Sequence, residues 1–159
     1  MAYKISGLKA EQFAYLDSLT DGQRAQHGVH IYTADEKPGY PCRVSLADAE
    51  VGERLFLLNY AYQPNDTPYK ASHAIFVREN AVEAKPYIDS VPVSLSSRLL
   101  SLRAFDSDHM MILADIAEGD EIEKTLIAFC NEPEVSYVQL HYARRGCFAA
   151  VAYPYDTPN

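Results

Sequence analysis

Residues 99–153 constrain the fold of this 159-residue chain more than any other stretch. Apolar runs at residues 99–105 and 110–116 flank Asp106-Ser107-Asp108, and two more at residues 135–143 and 147–153 flank Arg144-Arg145-Gly146. Short strand-forming runs joined by a few turn-forming residues predict β-hairpins. Between the two pairs, Gly119-Asp120-Glu121 precedes Ile122, Leu126, Phe129 and Cys130, and Asn131-Glu132-Pro133 follows. The apolar positions share one helical stripe, the acidic residues stand at the positive end of the helix dipole, and proline stops the run. A hairpin, a helix and a hairpin in that order fit antiparallel strands covered by a helix, not a doubly wound parallel sheet.

The rest of the chain extends this pattern. Leu8, Phe13, Leu16 and Leu19 have near-helical spacing, and Thr20-Asp21-Gly22 supplies a stop, so residues 8–19 are expected to form a second main helix. Residues 54–60 and 74–78 predict core strands, and residues 3–6 and 29–33 weaker ones. The expected fold is α+β, a mostly antiparallel sheet with two main helices packed on one face. Its length suits a single domain spanning residues 1–159, with residues 37–41 as a turn and residues 154–159 as a frayed tail.

Composition limits the partners. A formal net charge of -8 argues against nucleic acid or an anionic membrane surface, since both select a basic face. No apolar run approaches the roughly 18 residues of a membrane span, and the N-terminus lacks a signal-peptide pattern, so the expected location is cytoplasmic. The three cysteines, Cys42, Cys130 and Cys147, are odd in number and have no CxxC spacing; reduced thiols are expected, with no metal site. No dinucleotide, P-loop, zincin or hydrolase motif occurs, and no cofactor is implied.

Chemistry-bearing side chains concentrate in residues 38–79. Cys42 lies beside Arg43, which could favour a thiolate nucleophile; a buried small side chain is the commoner role. His73 heads a strand, where it could serve as a general base or tie a loop to the sheet. His27 and His30 flank Gly28-Val29, an extended segment that would point the two rings apart. In residues 135–142 one face carries Val138, Leu140 and Tyr142, while Tyr137, Gln139 and His141 form a polar face able to bind a ligand or to face solvent. Arg43, Arg78, Arg98 and Arg103 fall in or beside strands, where each needs a carboxylate of the protein or of a ligand. Tyr60 and Tyr69 offer stacking area with a polar tip.

Several blocks occur together and in order. They are Tyr3-x-Ile5-x-Gly7-Leu8, Pro41-Cys42-Arg43-Val44-Ser45-Leu46 with Asp48-Ala49 and Gly52-Glu53, and Thr67-Pro68-Tyr69 with His73-Ala74-Ile75-Phe76-Val77. Arg98-x-x-Ser101-x-Arg103-Ala104-Phe105-Asp106 and Arg144-x-Gly146-Cys147-Phe148 complete the set. In these the chain resembles a family of small bacterial proteins of uncharacterised function, a domain-of-unknown-function family. The resemblance implies a bacterial, cytoplasmic, single-domain protein and brings no activity or catalytic residue. Where many members carry Ser-Pro-Tyr and Gly-Pro, this chain has Thr67 and Ser72-His73-Ala74, which weighs against a catalytic His73.

Three functional expectations follow. The first is a binding or regulatory module whose pocket holds a small anionic ligand through Arg43, Arg78, Arg98 or Arg103, with Tyr60, Tyr69 and His141 as further lining. The second is a thiol-dependent enzyme with Cys42 as nucleophile and His73 or His141 as base, which requires Cys42 to lie within hydrogen-bond reach of a histidine. The third is a homodimeric interaction protein joined through an edge strand or the polar sheet face.

Overall fold

In a computed structural model, which describes residues 2–156, the chain runs through nine strands and four short α-helices. The order is β1 (Ala2–Ser6), a 3-10 turn (Ala10–Gln12), α1 (Ala14–Asp17), α2 (Asp21–Gln26), β2 (His30–Thr33), β3 (Arg54–Gln63) and β4 (Ala71–Arg78). Then follow β5 (Tyr87–Ile88), α3 (Val93–Ser96), β6 (Leu100–Phe105), β7 (Met111–Ala117), α4 (Asp120–Cys130), β8 (Tyr137–Tyr142) and β9 (Phe148–Tyr155). The strands form two antiparallel sheets: six in the order β5-β1-β9-β8-β6-β7, and three in the order β2-β3-β4. The fold is α+β. No helix among the described residues is long and apolar enough to cross a membrane.

Both predicted hairpins are present, joined by the antiparallel pair β6 and β8. Alternation along them explains the packing. Leu100, Leu102 and Ala104 of β6 and Val138 and Leu140 of β8 share a core with Ile122, Leu126 and Cys130 of α4. Burial in that core pushes the Cys130 thiol up to about 11.

The polar face of β8 is not solvated. It lies between the sheets, where Gln139 is 3% and His141 0% exposed, and Tyr62 of β3 meets the His141 ring edge-on at 4.9 Å. A single sheet with one wet face was the simpler expectation; the second sheet takes the place of water.

The helical expectation is corrected in two places. Residues 8–19 form a 3-10 turn and the single-turn α1, and Phe13 and Leu16 pack with Phe56, Ile75 and Phe148 rather than beside α4. Two main helices on one face are therefore not what forms. Thr20-Asp21-Gly22 starts a helix instead of ending one: Thr20 Oγ1 accepts from Gln23 N at 3.2 Å and the Gln23 side chain accepts from Thr20 N at 2.9 Å, a capping box for α2. At the C-terminus, Pro154 and Tyr155 belong to β9, opposite Tyr3 and Ala2, so the frayed tail expected from residue 154 does not begin there; residues 157–159 of that expectation lie outside the described residues.

Candidate functional site

The long connection between β2 and β3 carries Arg43 to the joint between the two sheets. Pro41 and Asp48 form an isolated antiparallel bridge, while Cys42 N donates to Ala47 O and Leu46 N to Cys42 O, each at 3.0 Å. Arg43 N donates to Phe76 O of β4 at 3.0 Å, and Arg43 O accepts from Leu8 N, just after β1, at 2.8 Å. The loop is thus tied to both sheets. Gly7 permits that approach, because a Cβ there would stand 2.7 Å from Arg43 O.

The chain turns at Arg43, and the Cys42 and Arg43 side chains go to different partners. The Cys42 sulfur turns inward and accepts from Ser45 N at 3.5 Å and Arg78 N at 3.3 Å. The Arg43 side chain crosses to β9, where Nε donates to Phe148 O at 2.8 Å, Nη1 to Pro41 O at 2.5 Å and Nη2 to Cys147 Sγ at 3.0 Å. It is 2% exposed, yet no carboxylate of the described residues forms an ion pair with it. A guanidinium has five N–H donors, so one on each terminal nitrogen is left without a protein partner among the described residues.

Tyr142 ends β8 between two arginines. The Arg43 guanidinium carbon lies 4.9 Å and that of Arg98 5.2 Å from its ring centroid. Arg98 is held by Ser94 O of α3 at 2.7 Å and by both oxygens of Asp48, at 2.6 and 3.0 Å. Burial works against its charge, but the Asp48 hydrogen bonds together with the electrostatic pull of Tyr142, Asp48 and Cys147 outweigh it, and its pKa stands above the ordinary arginine value. Burial raises the Tyr142 phenol although both arginines pull it down. That hydroxyl has no hydrogen-bond partner among the described residues and, unlike the sealed Tyr3 hydroxyl, opens on a cavity.

The cavity is a cleft of about 600 Å³. Arg43, Arg98, Tyr142 and Cys147 line it, and Arg144 and Arg145, exposed on the β8–β9 turn, stand at the rim. Gly146 takes φ +78° in that turn, a conformation suited to glycine, and brings Cys147 back beside Arg43. Across the cleft Tyr32 and Tyr40 each pack on Phe76 with centroids 5.4 Å apart. Glu36 and Glu118 also line it, but neither they nor any other described carboxylate ion-pairs with Arg43, Arg144 or Arg145. An acidic chain therefore concentrates arginines in one cleft.

The family model for a protein of unknown function, DUF1203, matches residues 39–152, which include Arg43, Arg98, Tyr142 and Cys147. The chain belongs to the DUF1203 family. Neither curated proteins nor solved structures supply a match.

Of the DUF1203 residues singled out in the sequence, the cleft brings together Arg43, Arg98 and His73. His73 Nδ1 donates to Ala74 O at 2.9 Å. The others are placed elsewhere. Arg78 is held by Glu53, with Nε donating at 2.8 Å and Nη2 at 2.7 Å, and the Glu53 carboxyl is lowered by those bonds and by Glu50 N despite its desolvation. Arg103 donates to Ser101 Oγ at 3.1 Å on the face of β6 away from α4. Tyr69 packs edge-on against Phe105 at 6.0 Å, and Tyr60 lines a separate cavity of about 390 Å³ with Gln63, Tyr137 and Phe148. His141 lies 3.0 Å by Nδ1 from Gly146 O and 3.0 Å by Nε2 from Gln139 Oε1.

No histidine of the described residues hydrogen-bonds to Cys42, so the nucleophile and base expected of a thiol enzyme are not assembled there. No described group of three or more metal-ligating side chains comes together. Sequence reasoning gave no site role to Asp48, Arg144 or Arg145, and named Tyr142 and Cys147 without assigning either to the anion site. The available signal was the turn Arg144-Arg145-Gly146-Cys147, two cations and a thiol around a glycine.

Proposed function

We propose that this protein binds a small anion carrying a planar apolar part, in the cleft between its two sheets. The observation that carries this reading is Arg43, a guanidinium 2% exposed, without a carboxylate partner, with one N–H on each terminal nitrogen unused. Buried charges are ordinarily paired, and a planar fork with two free donors matches a carboxylate or phosphate. Arg98, Arg144 and Arg145 add positive potential, and Tyr32, Tyr40 and Phe76 supply an aromatic wall for the remainder of the ligand.

Thermal denaturation with inorganic phosphate, benzoate, phenyl phosphate and the neutral analogue benzyl alcohol tests this. Phenyl phosphate should raise the melting temperature most, and benzyl alcohol should leave it unchanged. Replacing the rim pair, Arg144→Ser with Arg145→Ser, should weaken phenyl phosphate binding about tenfold, roughly 1.4 kcal/mol, while the unliganded protein melts where the wild type does. Absence of a shift with all three anions, or equal shifts in the rim variant, would refute the proposal.

A further inference from the structure

We infer that Cys147 is the covalent acceptor of the cleft, taking small electrophiles that carry an anionic group; this rests on the anion-binding reading above. The three thiols differ in what surrounds them. Cys42 Sγ accepts from two backbone amides, Ser45 N in its own loop and Arg78 N at the end of β4, and Cys130, the last residue of α4, is 1% exposed. Neither lines the cleft, whereas Cys147 does.

Its sulfur accepts from Arg43 Nη2 at 3.0 Å, so the positive group that would hold the anion of a ligand also touches the nucleophile. A second feature points to an occupant at the same place. Tyr142 is 8% exposed, and its hydroxyl opens on the cleft with no partner among the described residues, while its ring lies between Arg43 and Arg98. A bound anion would complete both the free Arg43 donors and that hydroxyl, leaving its adjoining carbon near sulfur.

The step is a displacement. Sγ attacks an electrophilic carbon, the S–C bond forms as the carbon–leaving-group bond breaks, the leaving group departs with the electron pair, and the thiol proton passes to solvent. Sulfur and carbon exchange partners with no external oxidant or reductant.

Iodoacetate, an anion, and iodoacetamide, its neutral counterpart, are the probes, with each cysteine followed by mass spectrometry after proteolysis. In the folded protein Cys147 should be alkylated ahead of Cys42 and Cys130. Its ratio of iodoacetate to iodoacetamide rates should exceed that of the same cysteine in the urea-unfolded chain by about tenfold, the low end of what a charged cleft adds to an encounter rate. The rim pair Arg144→Ser with Arg145→Ser should return the ratio toward the unfolded value, and phenyl phosphate should slow the labelling. An unlabelled Cys147 in a protein that still binds phenyl phosphate overturns this inference alone. Labelling with the unfolded-chain ratio overturns the preference for anions, and if phenyl phosphate also fails to bind, the proposed function falls with it.

Discussion

Replacing Arg43 by alanine is expected to lower folding stability by about 4 kcal/mol, seen as a lower urea midpoint at unchanged slope. Hydrogen bonds from a charged donor are worth roughly 1.5–3 kcal/mol each, and the substitution strands the carbonyls of Phe148 and Pro41 together with Cys147 Sγ. It also removes the cation from the face of Tyr142 and opens a void where the side chain stood. Relief from burying an uncompensated charge offsets part of this, which keeps the net loss below the sum of the bonds. Against a total stability of roughly 5–15 kcal/mol, such a change would leave a marginal fold. Arg43→Lys should recover little, since an ammonium cannot span three acceptors held in a fork. A loss under about 1 kcal/mol would mean that Arg43 does not brace the joint between the sheets.

Acidification should destabilise the protein through His141. Its ring faces two oxygens, of Gly146 and Gln139, which favour the imidazolium. Burial opposes this, the charge of Arg103 adds to the opposition, with smaller contributions from His73 and Arg43, and the pKa falls from 6.5 to about 4. A neutral His141 donates either from Nδ1 to Gly146 O or from Nε2 to Gln139 Oε1, and only the imidazolium donates to both.

Between pH 6.5 and about 4 the unfolded chain binds a proton that the folded chain does not. The stabilisation is complete above the unfolded value and is lost as pH falls toward the folded one, about 3 kcal/mol in all. Urea titrations at intervals from pH 7 to about 5 isolate this window, because the carboxylates mostly titrate at lower pH, roughly 4. His141→Gln should flatten the profile there; an unchanged slope in that variant would assign it to another group.

The strands were legible because period-two alternation and turn residues agree along residues 54–153, and α4 because one apolar stripe runs its length. Gly22 misled at Thr20, although the Thr20 and Gln23 spacing of a capping box was present in the sequence. The division into two sheets was hidden, since Tyr137, Gln139 and His141 look like a wet face until β3 is placed over them.

The site shows the same limit. Arg43 next to Cys42 suggested an activated thiol, but the two side chains go to different partners, and the thiol that Arg43 reaches is 104 positions away. Arg98 was recognisable as needing a carboxylate, but its partner Asp48 lies 50 positions off and could be named only once α3 and the loop were seen together. Tyr142 was assigned to the apolar face correctly, and only the fold shows that this face ends between two guanidinium groups.

The central claim, that the cleft accepts an anion with an aromatic part, is tested most directly by a crystal structure of the protein with phenyl phosphate. The predicted result is phosphate oxygens accepting from the free N–H groups of Arg43 and from the Tyr142 hydroxyl, with the phenyl ring against Tyr32 and Phe76. Phenyl phosphate bound away from Arg43, or a cleft filled only by solvent at saturating concentration, would contradict it.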